Sequence, residues 1–262
     1  MRIVTNCDAL HRRLRDLKIV AEQDTAFSGD ISIEVLKRDG RYVIVEMGET
    51  LICSADPEWV TLYVNELVNF RLAHHMRDFL KIHAACGSLN GRRFLLAGKK
   101  GAGKTTLITR LLFDGVSGHG DEKILVRGNE VIPLSGKFHL KDGTVLLIPQ
   151  LGTIWKNLTS YPGYGVRTCF FSPLDAGFDW QIRWGHADVI FYLSPNHGRE
   201  TWTERCPKWE MAQHLILRSS DFDANPEGQI ADLCGLTKRS DTFIIHIGEL
   251  NGAVRAIREI LS

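Results

Sequence analysis

Residues 98–105 read Gly-Lys-Lys-Gly-Ala-Gly-Lys-Thr, which fits the pattern G-x-x-x-x-G-K-[S/T]. Each residue type in that run has a task in holding a triphosphate. Glycines let the backbone fold tightly and turn successive N–H groups inward, making an anion nest at the start of the following helix. Lys104 reaches the β- and γ-phosphates as a point charge, and the Thr105 hydroxyl coordinates a magnesium ion. The expected cofactors are therefore ATP and Mg²⁺, bound by Gly98, Lys99, Lys100, Gly101, Ala102, Gly103, Lys104, Thr105 and Thr106. Lys99 and Lys100 occupy variable positions of the motif, facing either the phosphates or water.

A phosphate loop alone leaves the chemistry open. Most such enzymes need a further acid to hold magnesium or to orient the nucleophile. The apolar run ADVIFYLSPN ends without one, whereas GVSGHGDEKILV carries Asp121-Glu122 soon after the loop. Read alone, that pair is a polar turn before a strand. Beside a phosphate loop it suits an acid that accepts a proton from an attacking hydroxyl. His83, in IHAACGSL, is on its own a hydrogen-bonded core histidine as readily as an active-site group.

These residues need elements to position them. IHAACGSL and RRFLLAG are apolar runs joined by Asn90-Gly91, a strong hairpin signal, and the second run leads directly into the glycine loop. TLITRLLFDG then reads as a helix closed by Gly115, giving the order strand, loop, helix. Two more hairpins are expected, ILVR/Gly128-Asn129/EVIPL and KFHL/Asp142-Gly143/TVLLIP. The last third reads as a strand (ADVIFYLS), a helix around KWEMAQHLIL, a strand (TFIIHIG) and a helix (GAVRAIREIL). Upstream, residues 31–54 read as strands turning at Asp39-Gly40, with Tyr42 to Met47 as the return. Residues 57–80 read as a helix beginning at Pro57. The division expected is a small strand-helix domain over residues 1–80 and a P-loop kinase domain over residues 81–262.

Composition narrows the partners. The 262 residues carry 32 basic and 31 acidic side chains, a net charge of +1, so no global field draws in nucleic acid or a membrane surface. No run is long and apolar enough to span a bilayer, and MRIVTNCDALHRRLRDLKIV lacks the apolar core of a signal peptide. The six cysteines are widely spaced with no Cys-x-x-Cys, and no His-x-x-x-His occurs, which argues against a structural zinc site. Reduced thiols and a cytoplasmic location are the expectation.

KIHAACGSLNGRRFLLAGKKGAGKTTL followed by GVSGHGDEKILV resembles the core of HPr kinase/phosphorylase and its shorter relatives, among them kinases that modify lasso peptides. The resemblance covers about residues 80–262, and the later ADVIFYLSP, KWEMAQHLIL and Gly-Glu-Leu stretches are similar to the shorter relatives. It implies a mixed α/β (α+β) fold built on the HPr-kinase and phosphoenolpyruvate-carboxykinase type of mixed sheet, not a doubly wound parallel one. It implies Asp121 as base, or as a magnesium ligand shared with Glu122 and Thr105, and His83 as an orienting group near the phosphates. Lys104 neutralises them.

The bifunctional enzymes' Glu-x-Arg-Gly-Leu-Gly signature has no counterpart here, which argues against a phosphorylase reaction and against work on HPr itself. The expected activity is transfer of the γ-phosphoryl group to a hydroxyl, foremost a serine of a peptide or protein, with a small-molecule alcohol as another acceptor. A nucleotide-gated binding protein without transfer is the alternative from another class. A further cation for the transferring group is expected among Lys137, Lys141, Arg167 and Arg183, and Tyr161–Gly165 is a candidate acceptor loop or a plain turn. A homo-oligomer is left open.

Overall fold

The computed structural model describes residues 2–15, 32–76, 79–134, 136–158, 160–163, 166–178, 180, 184–220 and 225–262. Ile31, Arg77, Tyr164, Gly165 and Arg183 lie outside the described residues.

The chain begins with strand β1 (Arg2–Thr5) and helix α1 (Asp8–Arg15), followed by β2 (Ser32–Arg38), β3 (Arg41–Glu46), β4 (Glu49–Ser54) and α2 (Pro57–His75). The four strands form a sheet in chain order, with β1 parallel to β2 and the rest antiparallel. Alternation explains β2: Ile33 and Val35 are buried while Ser32 and Glu34 are exposed. Asp39 and Gly40 both take left-handed backbone angles, which matches the twist of a two-residue hairpin. Met47 and Gly48 do the same, so the return strand stops at Glu46 and an additional strand follows. Asp56 starts α2 by accepting from the backbone N–H of Glu58 at 2.8 Å, with Pro57 in the first turn. The helix ends at His75, short of the expected residue 80, where the chain becomes a strand instead. Leu10, Leu14, Val60, Val64 and Leu67 of the two helices bury against Ile33, Val35, Tyr42 and Ile44. Both oxygens of the buried Glu46 carboxylate accept from the Arg71 guanidinium, fastening α2 to β3.

The chain continues through β5 (Leu80–Ile82), β6 (Ala84–Leu89), β7 (Arg92–Gly98), α3 (Lys104–Leu112), β8 (Ser117–Gly120), β9 (Ile124–Arg127) and β10 (Glu130–Pro133). Then come β11 (Phe138–Lys141), α4 (Asp142–Leu147), α5 (Gly152–Trp155), β12 (Ser160–Gly163), β13 (Val166–Phe171) and β14 (Gly185–His186). The last third holds β15 (Val189–Pro195), β16 (Trp202–Arg205), α6 (Lys208–Ile216), β17 (Ser219–Ser220), α7 (Pro226–Arg239), β18 (Asp241–Ile247) and α8 (Leu250–Leu261).

A six-stranded mixed sheet in the order β16-β18-β15-β7-β6-β8 forms the centre. β15 lies parallel to both β7 and β18, while β6, β8 and β16 pair antiparallel with their neighbours. The mixed sheet was the expectation, and a doubly wound parallel sheet is excluded. Period-two alternation divides β7 between two cores. Phe94 and Leu96 face α3 and α8 with Leu107, Ile108, Leu111, Val254 and Ile257. Leu95 and Ala97 face the other way, onto Met211 and Leu215 of α6 and Leu233 and Leu236 of α7. A five-stranded sheet, β14-β10-β9-β5-β17, contributes Leu80, Ile82, Ile124 and Val126 to that second core.

The Asn90-Gly91 and Gly128-Asn129 hairpins form as expected. The KFHL/TVLLIP hairpin does not. β11 pairs with β13 instead, and TVLLI lies largely in α4. Asp142 places a carboxylate in the first turn of that helix, where the dipole favours it, and the buried residues Thr144, Ile148 and Leu151 recur at helical spacing. His83 is not inside a strand either. It sits in the single-residue break between β5 and β6, where the chain passes from the five-stranded sheet to the six-stranded one.

Phe94 is fully buried and meets Phe191 edge-on at 6.1 Å between centroids. Phe94→Ala should therefore cost about 3–5 kcal/mol, read as a lowered urea midpoint with an unchanged slope.

Candidate functional site

The glycine-rich loop leaves β7 at Gly98 and enters α3 at Lys104. A Cβ on Gly98 would stand 2.9 Å from the Leu193 carbonyl oxygen of β15, so the strand pairing itself demands glycine. Gly101 and Gly103 take left-handed angles with open space around them, the freedom a tight nest requires. Gly103 gives α3 no side-chain cap, and the first turn carries no acid. The opening N–H groups of the helix thus have no side-chain cap, and they lie in the positive field of the helix dipole. Lys104 is buried, and its ammonium donates to the carbonyls of Gly98 at 2.9 Å and Lys99 at 3.2 Å. Burial lowers its pKa from the ordinary lysine value, with Arg218 adding to that and Asp121 and Glu122 opposing it.

The acidic pair follows β8. Gly120 lets this strand close down on β10, since a Cβ there would meet Pro133 Cβ at 2.8 Å. Gly118 makes the same accommodation toward Leu112 of α3. The close approach brings Asp121 under the head of α3, where the Thr105 hydroxyl donates to Asp121 Oδ2 at 2.7 Å. Among the described residues, the other carboxylate oxygen, Oδ1, is buried without a hydrogen bond. Burial pushes the Asp121 carboxyl up to about 7; the hydrogen bond from Thr105 opposes that shift, the Glu122 charge adds to it, and the Glu122 backbone N–H and the Lys104 charge oppose it. Glu122 takes a left-handed angle of +74°, a strained choice for a residue with a Cβ.

Histidines pin that strained turn. His83 Nδ1 lies 3.1 Å from the Glu122 carbonyl oxygen. A carbonyl only accepts, so Nδ1 carries the proton and Nε2 is the basic nitrogen of the neutral ring. Burial, reinforced by the Lys104 charge, lowers the His83 pKa and favours that neutral form. His139 of β11 approaches the other side, its Nδ1 3.5 Å from Glu122 Oε1, and its ring meets Phe170 edge-on at 5.1 Å.

The sequence therefore anticipates residues that the fold brings together: Lys104, Thr105, Asp121, Glu122 and His83. Lys137 stands 3.9 Å from Asp175, and Lys141 and Arg167 are exposed. Sequence reasoning missed His139 and Arg218. Arg218 follows α6, and its carbonyl accepts the His83 backbone N–H at 2.9 Å as β17 pairs with β5. Its charge reaches both Lys104 and His83, lowering each, and among the described residues its Nε is buried without a partner. No local signal marks it, because β17 has only two residues and its pairing with β5 is long-range. No helix of the described chain is long and apolar enough to cross a membrane.

No family model matches the chain, and no curated protein matches it. Among solved structures, the Hpr(Ser) kinase/phosphatase from Coxiella burnetii is similar to it at 12% identity with a TM-score of 0.35. The match spans 69% of this chain and 89% of that one. A likeness of that degree does not bear on the chemistry, which the residues of the site have to decide.

Asp121 has a stability consequence whose sign runs against intuition. Its folded pKa lies above the unfolded value, so its contribution is fully present below about pH 4 and is lost as pH rises through about 7. Asp121→Asn removes that loss. In nucleotide-free and magnesium-free buffer the variant should melt at a higher temperature than wild type at about pH 8, with the difference vanishing near pH 4. Thermal scans across that range measure it, and a variant less stable at pH 8 would contradict the buried, unpaired state of Oδ1.

Proposed function

We propose that this chain is an ATP- and Mg²⁺-dependent kinase, with residues 81–262 as its catalytic domain, that transfers the γ-phosphoryl group to a hydroxyl. The preferred acceptor is a serine of a peptide or protein. The observation that carries this reading is the meeting of Thr105 Oγ1 with a buried Asp121 whose second oxygen has no partner among the described residues. A buried, unsatisfied carboxylate oxygen is costly, and it persists where a cation or a reacting proton uses it.

The donor set fits the cofactor. Thr105, Asp121 and Glu122 offer oxygens alone, which is what magnesium takes. Held there, Mg²⁺ would neutralise charge on the β- and γ-phosphates. The N–H groups of the loop and of the head of α3 bind the phosphate oxygens. Lys104 exchanges the Gly98 and Lys99 carbonyls for the phosphates, keeping a charged donor in the same place. Arg218, whose charge acts on both Lys104 and His83, would add positive charge for the negative charge that spreads over the transferring group. The acceptor oxygen attacks the γ-phosphorus as the bond to the β–γ bridging oxygen breaks, ADP leaves, and the hydroxyl proton passes to Asp121. His83 holds the Glu122 carbonyl, and with it the direction in which Asp121 points.

Transfer of labelled γ-phosphate into serine-bearing peptides and small alcohols tests the reading. Wild type should give an acid-stable ester. Asp121→Asn should lose about 10²–10⁴-fold in turnover while still binding ATP. Arg218→Ala should lose about 10²–10³-fold, mostly in kcat. If wild type binds ATP but labels no acceptor, or Asp121→Asn labels as well as wild type, a nucleotide-gated binding protein becomes the better account.

A further inference from the structure

A second group of ligating side chains lies on α6 and its approach. Cys206, Glu210 and His214 are each four residues apart, so they line one side of α6 and its approach. One sulfur, one carboxylate oxygen and one ring nitrogen from them all lie within 4.8 Å of one another. Glu210 Oε1 is 3.7 Å from His214 Nε2.

Cys206 and His214 are held by different strands of the central sheet. Cys206 is buried at 4% exposure, and its backbone is clamped to β18 from both sides. Its N–H donates to the Thr242 carbonyl at 2.9 Å, and its carbonyl accepts from the Thr242 hydroxyl at 2.7 Å. The His214 ring lies flat on Tyr192 of β15, with centroids 4.0 Å apart and planes 16° apart. These contacts fix the Cys206 backbone and the His214 ring before any ion arrives, which preorganises most of the site.

We propose that Cys206, Glu210 and His214 bind a zinc-class divalent cation, at a position separate from the oxygen-only site at Thr105 and Asp121. One sulfur, one nitrogen and one oxygen donor suit zinc and discriminate against magnesium. Bonds of about 2.0–2.3 Å in tetrahedral geometry put neighbouring donor atoms about 3.3–3.7 Å apart. Glu210 and His214, at 3.7 Å, need to close by only a few tenths of an ångström for an oxygen–nitrogen pair. The sulfur has to move in by about 1 Å at most, within the range of a side-chain adjustment. On binding, the Cys206 thiol releases its proton to solvent, and three protein ligands leave the fourth position to water or to another ligand. The ion would tie α6 to β15 and β18 two residues before that helix ends, which steadies the following turn that carries Arg218. Neither Cys-x-x-Cys nor His-x-x-x-His appears in this set, so motif spacing gives no hint of it.

Cobalt(II) is the probe, added to the full chain without nucleotide and with excess Mg²⁺. One equivalent should bind with a thiolate-to-cobalt charge-transfer band and the intense visible bands of tetrahedral cobalt, both erased by zinc(II). Cys206→Ser should abolish the charge-transfer band, and Glu210→Gln should weaken cobalt binding about tenfold or more. A Cys53→Ser/Cys234→Ser double variant, lacking two exposed thiols, should keep the spectrum. Glu210 is partly exposed, so Glu210→Gln keeps the test decisive even if Cys206→Ser fails to fold. The proposal is overturned if wild type shows no thiolate band, if Glu210→Gln binds as tightly as wild type, or if Asp121→Asn rather than Cys206→Ser removes the signal.

Discussion

A hydroxyl at the head of α3 and a carboxylate at the end of β8 meet at 2.7 Å, with the aspartate only 5% exposed. Most of the geometry around them follows from that contact. To make it, β8 must run close under α3 and against β10, and only glycine at 118 and 120 leaves room. To keep the carboxylate aimed at α3, the next residue must turn left-handed, and the Glu122 carbonyl is held by His83. His83 in turn is placed by the break between two sheets, with Arg218 bonded to its backbone. The strain and desolvation stored there are repaid by the packing around them.

That packing is a three-layer arrangement in which β7 serves two masters. Successive side chains of Phe94, Leu95, Leu96 and Ala97 enter opposite cores and are all fully buried. A strand buried on both faces cannot shift register by one residue without exchanging its two sets of neighbours. The glycine loop therefore departs from a point that is fixed in three dimensions, and the Gly98 backbone packs directly on Leu193. Rigid support on both sides is what lets the loop itself consist of residues with little conformational preference.

Legibility in the sequence followed the range of the interactions. The loop, its strand and its helix were readable because a local motif sits between two continuous apolar runs. The acidic pair was readable only in that company. α7 escaped notice because its buried face is Gln229, Leu233, Leu236 and Thr237, half of it polar, so no apolar stripe marks the helix. The Asp142-Gly143 step misled, since the same dipeptide that turns a hairpin also opens a helix when apolar side chains recur beyond it. Arg218 and His139 were invisible for a different reason. Their relation to the site exists only through pairings with β5 and packing beside the Asp121-Glu122 turn, neither of which leaves a local trace.

The order in which those contacts can form differs greatly. Thr105 and Asp121 are 16 residues apart, so the cradle and its acid close a short loop at small entropic cost. The pairing that flanks the cradle joins Arg93 to Asp188 across 95 residues, and Arg92 reaches Ile260 across 168. Contacts so distant along the chain slow folding, because the loop must be closed before they repay it. A nascent chain that has just cleared β8 would hold the glycine loop and Asp121 without the strand that backs them or the Arg218 backbone that bonds His83. The molecule thus completes this cluster last, and a chain cut short of β15 would present the glycine loop on an unsupported hairpin.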